Sequence, residues 1–254
     1  MRKYTSYSLK GANYRICSSR TDTIQKEIRF QRKILIGYIK RHPEFLDALE
    51  PIGLEADPPE IVKRMQAASQ KAGVGPMACV AGATAQLAAE AAVRNGANEA
   101  IVENGGDIYL VSEREILIGI YVQESLLSGK VAFRIAPSRL PVAICSSSSK
   151  MGHSLSFGDC NLATVLAEDA ALADAVATQA CNRVKTEEDM VSTAEKAVDI
   201  SGVQGIWIVK NDKVGLAGDL PELVRLDDES FSQKITMDAK SNHILWIDSD
   251  SDPF

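Results

Sequence analysis

The 254-residue sequence lacks any hydrophobic run that approaches the ~18 residues of a membrane span. Its first ten residues, MRKYTSYSLK, also lack the apolar core of a signal peptide. These two absences argue against a membrane-bound protein. The expectation is a cytoplasmic protein that makes no use of a membrane as a partner.

Cysteine and aromatic residues are scarce. The five cysteines are odd in number and show no Cys-x-x-Cys spacing, which argues against a disulfide framework and against a zinc cluster. Reduced and mostly buried thiols are therefore expected. Aromatic residues make up 6% of the chain and are not interleaved with the basic residues, and the net charge is -6. Nucleic acid is consequently not an expected partner.

The charge is unevenly distributed along the chain. Residues 1–41 contain eleven Lys and Arg but only two acidic residues, so the remainder carries a net charge of -15. A basic end of this kind suits an anionic ligand, the solvated face of a helix, or a contact with the acidic remainder of another subunit. The last of these would make the protein a homo-oligomer.

Hydrophobic periodicity predicts a mixed chain of helices and strands. A hairpin is expected over residues 4–17, followed by a helix that Asp22 or Thr23 caps and that ends near residue 41. Further helices are predicted over 44–49, 60–72, 78–95, 170–182 and 187–200, and strands over 100–102, 108–111, 116–122, 130–136, 142–145, 161–167, 205–209, 214–217 and 223–226. We expect one domain over 1–254, with a soft boundary near 125–130 and a weakly ordered tail over 230–254.

Asn104, Gly105, Gly106 and Asp107 form an Asn-Gly-Gly-Asp segment between two apolar stretches. Asn and glycine adopt positive φ at little steric cost, so the segment predicts the turn of a β-hairpin. A solvated turn is the simpler interpretation. Polar side chains at 103, 104 and 107 nevertheless crowd around two residues without side chains. We therefore predict that these four residues line a binding site for a polar ligand.

Gly73 and Gly75 lie in a Gly-Val-Gly-Pro segment before an alanine-rich helix. A glycine turn that leads into a helix directs free N–H groups and the positive end of the helix dipole at one point, which suits a phosphate. Gly75 is therefore a candidate cofactor-binding residue. The segment matches neither a Walker A motif nor Gly-x-Gly-x-x-Gly, and close helix packing alone would explain the alanines that follow.

Asp174 and Thr178 are the candidate metal ligands. They are four residues apart in a predicted helix and so share one face. A carboxylate with a hydroxyl suits Mg²⁺ or Ca²⁺ better than zinc, and carbonyl groups, water or a substrate phosphate would complete the shell. The structural alternative pairs Asp174 with a cationic side chain and lets Thr178 bond back along its own helix.

The serine run that follows the predicted strand 142–145 is expected to form a loop. Ser146, Ser147 and Ser148 offer hydroxyl and amide donors to phosphate or ribose. His153 is the candidate catalytic acid or base, because imidazole titrates near neutrality. A purely structural loop is the alternative. A serine or cysteine nucleophile is a third interpretation, although the sequence has no Gly-x-Ser-x-Gly elbow.

Several motifs resemble those of the UPF0280 (DUF375) family. They extend over residues 12–226 and include Gly73-Val-Gly-Pro-Met-Ala78, Val102-Glu-Asn-Gly-Gly-Asp-Ile108, Gly152-His-Ser-Leu-Ser-Phe-Gly158 and Ala173-Asp-Ala-Val-Ala-Thr-Gln-Ala-Cys-Asn182. The chain is identified as a member of that family on these motifs.

A more distant resemblance is to the ApbE superfamily of Mg²⁺-dependent FAD:protein FMN transferases. The 104–107 segment looks like a shortened form of their Asn-x-Gly-Gly-Asp motif, and residues 173–178 match their Ala-Asp-x-x-Ala-Thr helix. The resemblance implies an α+β fold: an ApbE-like mixed α/β arrangement with antiparallel sheets and packed helices. It also implies Mg²⁺ on Asp174 and Thr178, with a carbonyl group near Gly82 or Ala83 as third ligand.

The function implied by this resemblance is the binding of a small phosphate-bearing ligand, with FAD or FMN as the first candidates. Transfer or hydrolysis of its phosphate ester would follow. The transferases carry Ala-Lys-Gly near the helix start, whereas this chain reads Ala81-Gly-Ala-Thr-Ala-Gln86 and supplies no lysine. A non-catalytic protein that binds a ligand or a partner on the same scaffold is therefore the alternative prediction.

Overall fold

The structure, a computed structural model, describes residues 2–53, 56–122, 125–150 and 158–225. Its strands are β1 (Thr5–Leu9), β2 (Ala12–Ser18), β3 (Ala100–Asn104), β4 (Asp107–Val111), β5 (Ile116–Ile120), β6 (Val131–Ile135), β7 (Val142–Ser147), β8 (Leu162–Ala167), β9 (Val203–Lys210), β10 (Lys213–Gly218) and β11 (Glu222–Arg225). Its α-helices are α1 (Thr21–Arg41), α2 (Glu44–Asp47), α3 (Glu60–Ala72), α4 (Val80–Arg94), α5 (Ala170–Arg183) and α6 (Asp189–Val198). Short 3-10 helices lie at Pro76–Cys79 and Pro137–Arg139.

Two antiparallel sheets organise these strands. The larger sheet has the order β1-β2-β3-β4-β7-β8-β9-β10, and the smaller sheet has the order β11-β6-β5. All neighbouring strands in both sheets are antiparallel. The expected α+β fold with antiparallel sheets and packed helices is confirmed.

The larger sheet separates two hydrophobic cores, because successive side chains of a strand point to opposite faces. On β7, Ala143 and Cys145 belong to the core shared with the helices. Val142 and Ile144 belong to the core shared with the smaller sheet. The helix layer therefore covers one face of the large sheet and the small sheet covers part of the other.

The start of α1 differs from the sequence prediction. Arg20 occupies the N-cap position, and no side chain within the described ranges caps the helix. The predicted cap at Asp22 or Thr23 is therefore wrong. Asp22 instead lies in the first turn, where a carboxylate is favourable beside the positive end of the helix dipole.

Helices α4 and α5 approach each other unusually closely. A Cβ atom added at Gly82 would lie 2.2 Å from the carbonyl oxygen of Ala170 and 3.0 Å from the Cβ atom of Asp174. The buried alanines of both helices have small side chains, which allow the two helix backbones to lie close together. This approach brings the start of α4 against the face of α5 that carries Asp174.

Strand β7 is longer than predicted. It continues through Ser146 and Ser147, which pair with Thr164 and Ala163 of β8. The prediction that the strand ends at Cys145, with these two serines in a loop, is therefore wrong. Backbone ladder pairing depends little on side-chain hydrophobicity, so an apolar pattern underestimates the length of such a strand.

Some predictions fall outside the described residues, namely His153 and the tail over 230–254. The predicted soft boundary near 125–130 lies between β5 and β6, which pair with each other, and the single domain stays a prediction. No single helix in the described ranges is both long and apolar enough to cross a membrane. Helix α3 and residues 76–94 meet the criteria of length and composition only when they are taken together, and the two segments are bent by 105° relative to each other.

Candidate functional site

The centre of the candidate site is the Asp174 carboxylate. It accepts a 2.9 Å hydrogen bond from the backbone N–H of Gly82, and the N–H of Ala81 also bonds to it. These N–H groups belong to the first turn of α4, where a helix has no internal acceptors for them. Asp174 therefore caps α4 from a neighbouring helix.

Asp174 is almost completely buried, at 7% exposure. Burial raises its pKa to about 7, against the smaller opposing effect of the two backbone hydrogen bonds. Within the described ranges, no cationic side chain pairs with it. The structural alternative of an ion-paired Asp174 therefore finds no support among the residues that the structure describes.

Asp107 supplies a second buried carboxylate from the first residue of β4. Its Oδ1 atom accepts a 3.2 Å hydrogen bond from the N–H of Ser146. Burial raises its pKa well above the usual range, and the negative charge of Asp174 raises it further. Two carboxylates that interact without a countercharge favour retention of a proton or binding of a cation.

Thr178 lies one turn after Asp174 on α5. Its hydroxyl group points to another element, with Oγ1 3.5 Å from the carbonyl oxygen of Ala78, so the alternative in which it bonds back along its own helix is wrong. Ala83 is completely buried inside α4, where its carbonyl oxygen is directed along the helix axis. The carbonyl group that the structure places beside Thr178 is that of Ala78; the role predicted for Ala83 stays a prediction.

The 104–107 turn joins β3 and β4 as predicted. Asn104 pairs with Asp107 across the hairpin, and Gly105 and Gly106 have positive φ angles of 64° and 105°. The Asn104 side-chain amide donates a 3.3 Å hydrogen bond to the carbonyl oxygen of Ala81. The turn is thereby tied to the same first turn of α4 that Asp174 caps.

The serines of the predicted binding loop divide between two faces of the sheet. The Ser146 hydroxyl lies 2.9 Å from that of Thr164, on the face opposite to Cys145. The Ser146 side chain therefore lies on the other face of the sheet from Asp174, and only its backbone N–H reaches Asp107. The ligand-binding role predicted for Ser146 stays a prediction. Ser147 projects from the same face as Cys145, and its hydroxyl has no hydrogen-bond partner among the residues that the structure describes.

Ser148 lies just after β7, is buried, and accepts a hydrogen bond of 3.1 Å from the N–H of Lys150. The acid–base role predicted for His153 lies outside the described residues and stays a prediction.

Gly75 has a packing role. A Cβ atom there would lie 1.7 Å from the carbonyl oxygen of Ala48, so glycine is required by the approach of the two backbones. Gly73 ends α3 in the left-handed conformation, with φ of 68°. Binding of a phosphate at Gly75 stays a prediction.

Two thiols, those of Cys145 and Cys79, lie near the carboxylates. The sequence analysis did not identify these two cysteines as site residues. Cys145 contacts Asp107, and burial together with the charges of Asp107 and Asp174 raises its pKa. Burial and Asp174 raise the pKa of Cys79 in the same way. Such thiols stay protonated, which argues against a cysteine nucleophile here. The alternation along β7 could have placed Cys145 on the face toward α5.

Metal binding at this site would depend on few acidic side chains. No cluster of three or more His, Cys, Asp or Glu side chains in the described part of the chain has metal-binding geometry. Mg²⁺ commonly uses one or two carboxylates, with water and substrate phosphates completing its shell. Two buried, uncompensated carboxylates, a threonine hydroxyl and a nearby carbonyl oxygen fit that pattern.

Sequence comparisons relate the chain to an established group of archaeal proteins. The family model described as "AbpE bacteria" matches residues 14–205. A UPF0280 protein of Methanocaldococcus jannaschii is 43% identical over 196 residues, covering 75% of this chain and 79% of that relative. A UPF0280 protein of Archaeoglobus fulgidus is 43% identical over 207 residues, covering 79% and 84%.

Solved structures relate the fold to flavin transferases. The ApbE protein of Thermotoga maritima has a TM-score of 0.54 and 15% identity, covering 92% of this chain and 99% of that one. A histidine-to-glycine mutant of the flavin transferase ApbE from Vibrio cholerae has a TM-score of 0.52 and 14% identity, covering 85% and 97%. Identity at this level establishes similarity of fold alone. The chain belongs to the UPF0280 family and has the fold of the ApbE flavin transferases.

Proposed function

We propose that the protein binds a flavin nucleotide, FAD or FMN, together with Mg²⁺ at the site around Asp174, and that it transfers or hydrolyses the phosphate ester of FAD. The observation that carries the proposal is the pair of buried carboxylates, Asp107 and Asp174, which no cation in the described part of the chain neutralises. Burying two like charges is costly, and a bound cation removes that cost.

Asp174 and Thr178 would hold the metal, with Asp107 close by and a backbone carbonyl completing the protein's share. The candidates for that carbonyl are Ala83, from the resemblance, and Ala78, from its position 3.5 Å from the Thr178 hydroxyl. When bound, Mg²⁺ supplies neutralisation of phosphate charge.

The chain's own residues position the ligand. The bond from Asn104 to the Ala81 carbonyl fixes the hairpin turn against α4. Gly105 and Gly106 carry no side chains, so a ligand can approach the turn backbone. The Ser147 hydroxyl is available to donate to a phosphate oxygen, and His153 is the proposed acid or base.

The test is incubation of the purified protein with FAD and Mg²⁺, with FMN and AMP measured by chromatography. Asp174→Asn should reduce the Mg²⁺-dependent rate by at least about 10- to 100-fold, the loss caused by removing even an outer partner of a metal site. Asp169→Asn is the matched control. Asp169 lies at the start of the same helix, where its Oδ1 accepts a 2.8 Å hydrogen bond from the N–H of Leu172. Asn caps helices as well as Asp does, so this variant should keep full activity.

A non-catalytic binding protein is the second candidate. The absence of lysine from Ala81-Gly-Ala-Thr-Ala-Gln86 favours it, as does the use of Asp174 as a helix cap. Saturable flavin binding without release of FMN or AMP would support this candidate over the enzyme. Failure to bind either flavin, with or without Mg²⁺, would contradict both.

A further inference from the structure

Strand β10 is an edge of the large sheet, and no strand in the described part of the chain pairs with its outer side. Its sequence, Lys-Val-Gly-Leu-Ala-Gly, contains no proline, and Val214 and Leu216 are 41% and 58% exposed. The opposite edge, β1, instead exposes small polar side chains at Thr5, Ser6 and Ser8. An edge strand that exposes apolar side chains is a template for pairing with another chain. The outer side of β10 is therefore a candidate interface.

The pairing of β10 with β9 determines which backbone groups of β10 face outward. The N–H of Asp219 donates a 2.8 Å hydrogen bond to the carbonyl oxygen of Gln204, so Asp219 continues the ladder between the two strands as a bonded position. Bonded positions recur at every second residue of an antiparallel ladder, which gives 213, 215, 217 and 219. The N–H and C=O groups of the alternate residues therefore point away from β9, and these residues are Val214, Leu216 and Gly218.

A second copy of β10 fits this edge in one antiparallel register. Outward backbone groups bond only to outward backbone groups, so Leu216 can lie opposite the partner's Leu216 on a two-fold axis. Val214 then lies opposite the partner's Gly218, and the same pair recurs by symmetry on the other side of the axis. A shift of the partner strand by two residues in either direction leaves one of these bonded pairs unmade.

The same register also matches the charges at the two ends of the strand. It places Lys213 opposite the partner's Asp219, and both side chains are exposed. Within one chain, Lys213 contacts Glu187 and Asp219 contacts Arg139. Pairing of two copies would therefore extend each contact into a row of alternating charges. Opposite charges that face each other across neighbouring strands are stabilising, whereas like charges are destabilising.

We propose that a second copy of this chain docks on β10, so that the two large sheets join into one continuous antiparallel sheet across a two-fold axis at Leu216. Val214 and Leu216 of each copy form an apolar stripe across the junction, because diagonal neighbours lie only about 7–8 Å apart. The charged pairs of Lys213 with the partner's Asp219 lie at its two ends. The proposal involves neither flavin nor metal and is therefore independent of the proposed function.

The first experiment measures the mass of the full chain by sedimentation velocity over a series of protein concentrations. The wild type should sediment as two chains, and Leu216→Lys should sediment as one chain at the same concentrations, because it places two ammonium groups opposite each other on the axis. Leu49→Lys is the matched control: Leu49 is also 58% exposed but follows α2, and its variant should stay dimeric. A wild type that is monomeric throughout, or a dimer that survives Leu216→Lys, would overturn the proposal.

Charge reversal at the strand ends tests the register. Lys213→Glu and Asp219→Lys should each weaken the dimer by about 10-fold, because each variant places like charges opposite each other at both ends. Mixing the two variants should restore the wild-type affinity in a mixed dimer. There the introduced glutamate faces the introduced lysine, and the native Lys213 faces the native Asp219. Loss of an ion pair within one chain cannot be repaired by mixing, so a mixture as weak as the separate variants would contradict this register.

Hydrogen exchange distinguishes a second copy from an occupant within the same chain. The amides of Val214, Leu216 and Gly218 should become protected as the protein concentration rises, because their N–H groups bond only in the dimer. Protection of these three amides that is the same at every concentration would indicate that another part of the same chain, such as residues 226–254, covers the edge. That result would overturn the proposal.

Discussion

The Asp174 carboxylate accepts its hydrogen bond from the backbone N–H of Gly82, so a residue of α5 closes the first turn of α4 from 92 positions away in the sequence. This contact is possible because Gly82 has no side chain: a Cβ atom there would lie 2.2 Å from the Ala170 carbonyl oxygen. The carboxylate is thereby held in a fixed position where it is costly to ionise.

Substitution of Gly82 should separate the two helices. Gly82→Ala places a methyl group against a backbone carbonyl that cannot move aside, and we expect a loss of about 1–3 kcal/mol in the free energy of unfolding. Gly37→Ala is the matched control, because Gly37 lies in α1 and no atom in the described part of the chain lies within 4 Å of its added Cβ atom. That change should stabilise the protein by about 0.5–1 kcal/mol. Chemical denaturation of both variants measures the difference; equal midpoints would show that the close approach is unimportant.

The raised pKa of Asp174 predicts a specific dependence of stability on pH. Its pKa is about 7 in the folded protein and near 3.8 in the unfolded chain. The contribution of a group with a raised folded pKa is fully present below pH 4 and is lost as the pH rises through about 7. The loss is on the order of a few kcal/mol. Asp174→Asn removes it while keeping an oxygen atom that accepts from Gly82.

The variant should therefore match the wild type at pH 4 and unfold at a higher denaturant concentration than the wild type at pH 8. Both proteins are measured in EDTA, so that no cation replaces the proton. An identical difference between the two proteins at pH 4 and pH 8 would contradict the prediction.

The backbone angles of the hairpin turn predict that Gly105 tolerates substitution and that Gly106 does not. Gly105 has φ of 64°, which Asn adopts readily, whereas Gly106 has φ of 105°, which side chains rarely tolerate. No atom of the described residues lies within 4 Å of an added Cβ at either position, so backbone strain is the difference between them. Gly105→Asn should change the melting temperature little, while Gly106→Asn should cost about 1–2 kcal/mol. Equal losses in thermal unfolding would refute this assignment of the turn.

Local features of the fold were predictable because they depend on neighbours in sequence. The spacing of Asp174 and Thr178 placed both on one helical face, and Asn-Gly-Gly-Asp identified the turn at 104–107. The capping of α4 by Asp174 was not predictable, because nothing near either residue in the sequence indicates their contact. The face of the sheet on which the Ser146 side chain lies depends on how far β7 extends. The run of four serines in the sequence does not indicate where that strand ends.

The two serines at the end of β7 offer a test that separates stability from ligand binding. Ser146 and Ser147 are adjacent but project from opposite faces of the sheet. The Ser146 hydroxyl bonds to that of Thr164 at 2.9 Å, so Ser146→Ala should cost about 1 kcal/mol of stability and leave flavin affinity unchanged. Ser147→Ala removes a hydroxyl with no partner in the described residues, so its stability should stay within about 0.5 kcal/mol of the wild type. If Ser147 donates to a phosphate oxygen, flavin affinity should fall in that variant alone. Thermal unfolding and flavin fluorescence titration of both variants measure the two effects. A loss of affinity in Ser146→Ala but not in Ser147→Ala would place the ligand on the face of the sheet opposite to Asp174 and would contradict the prediction.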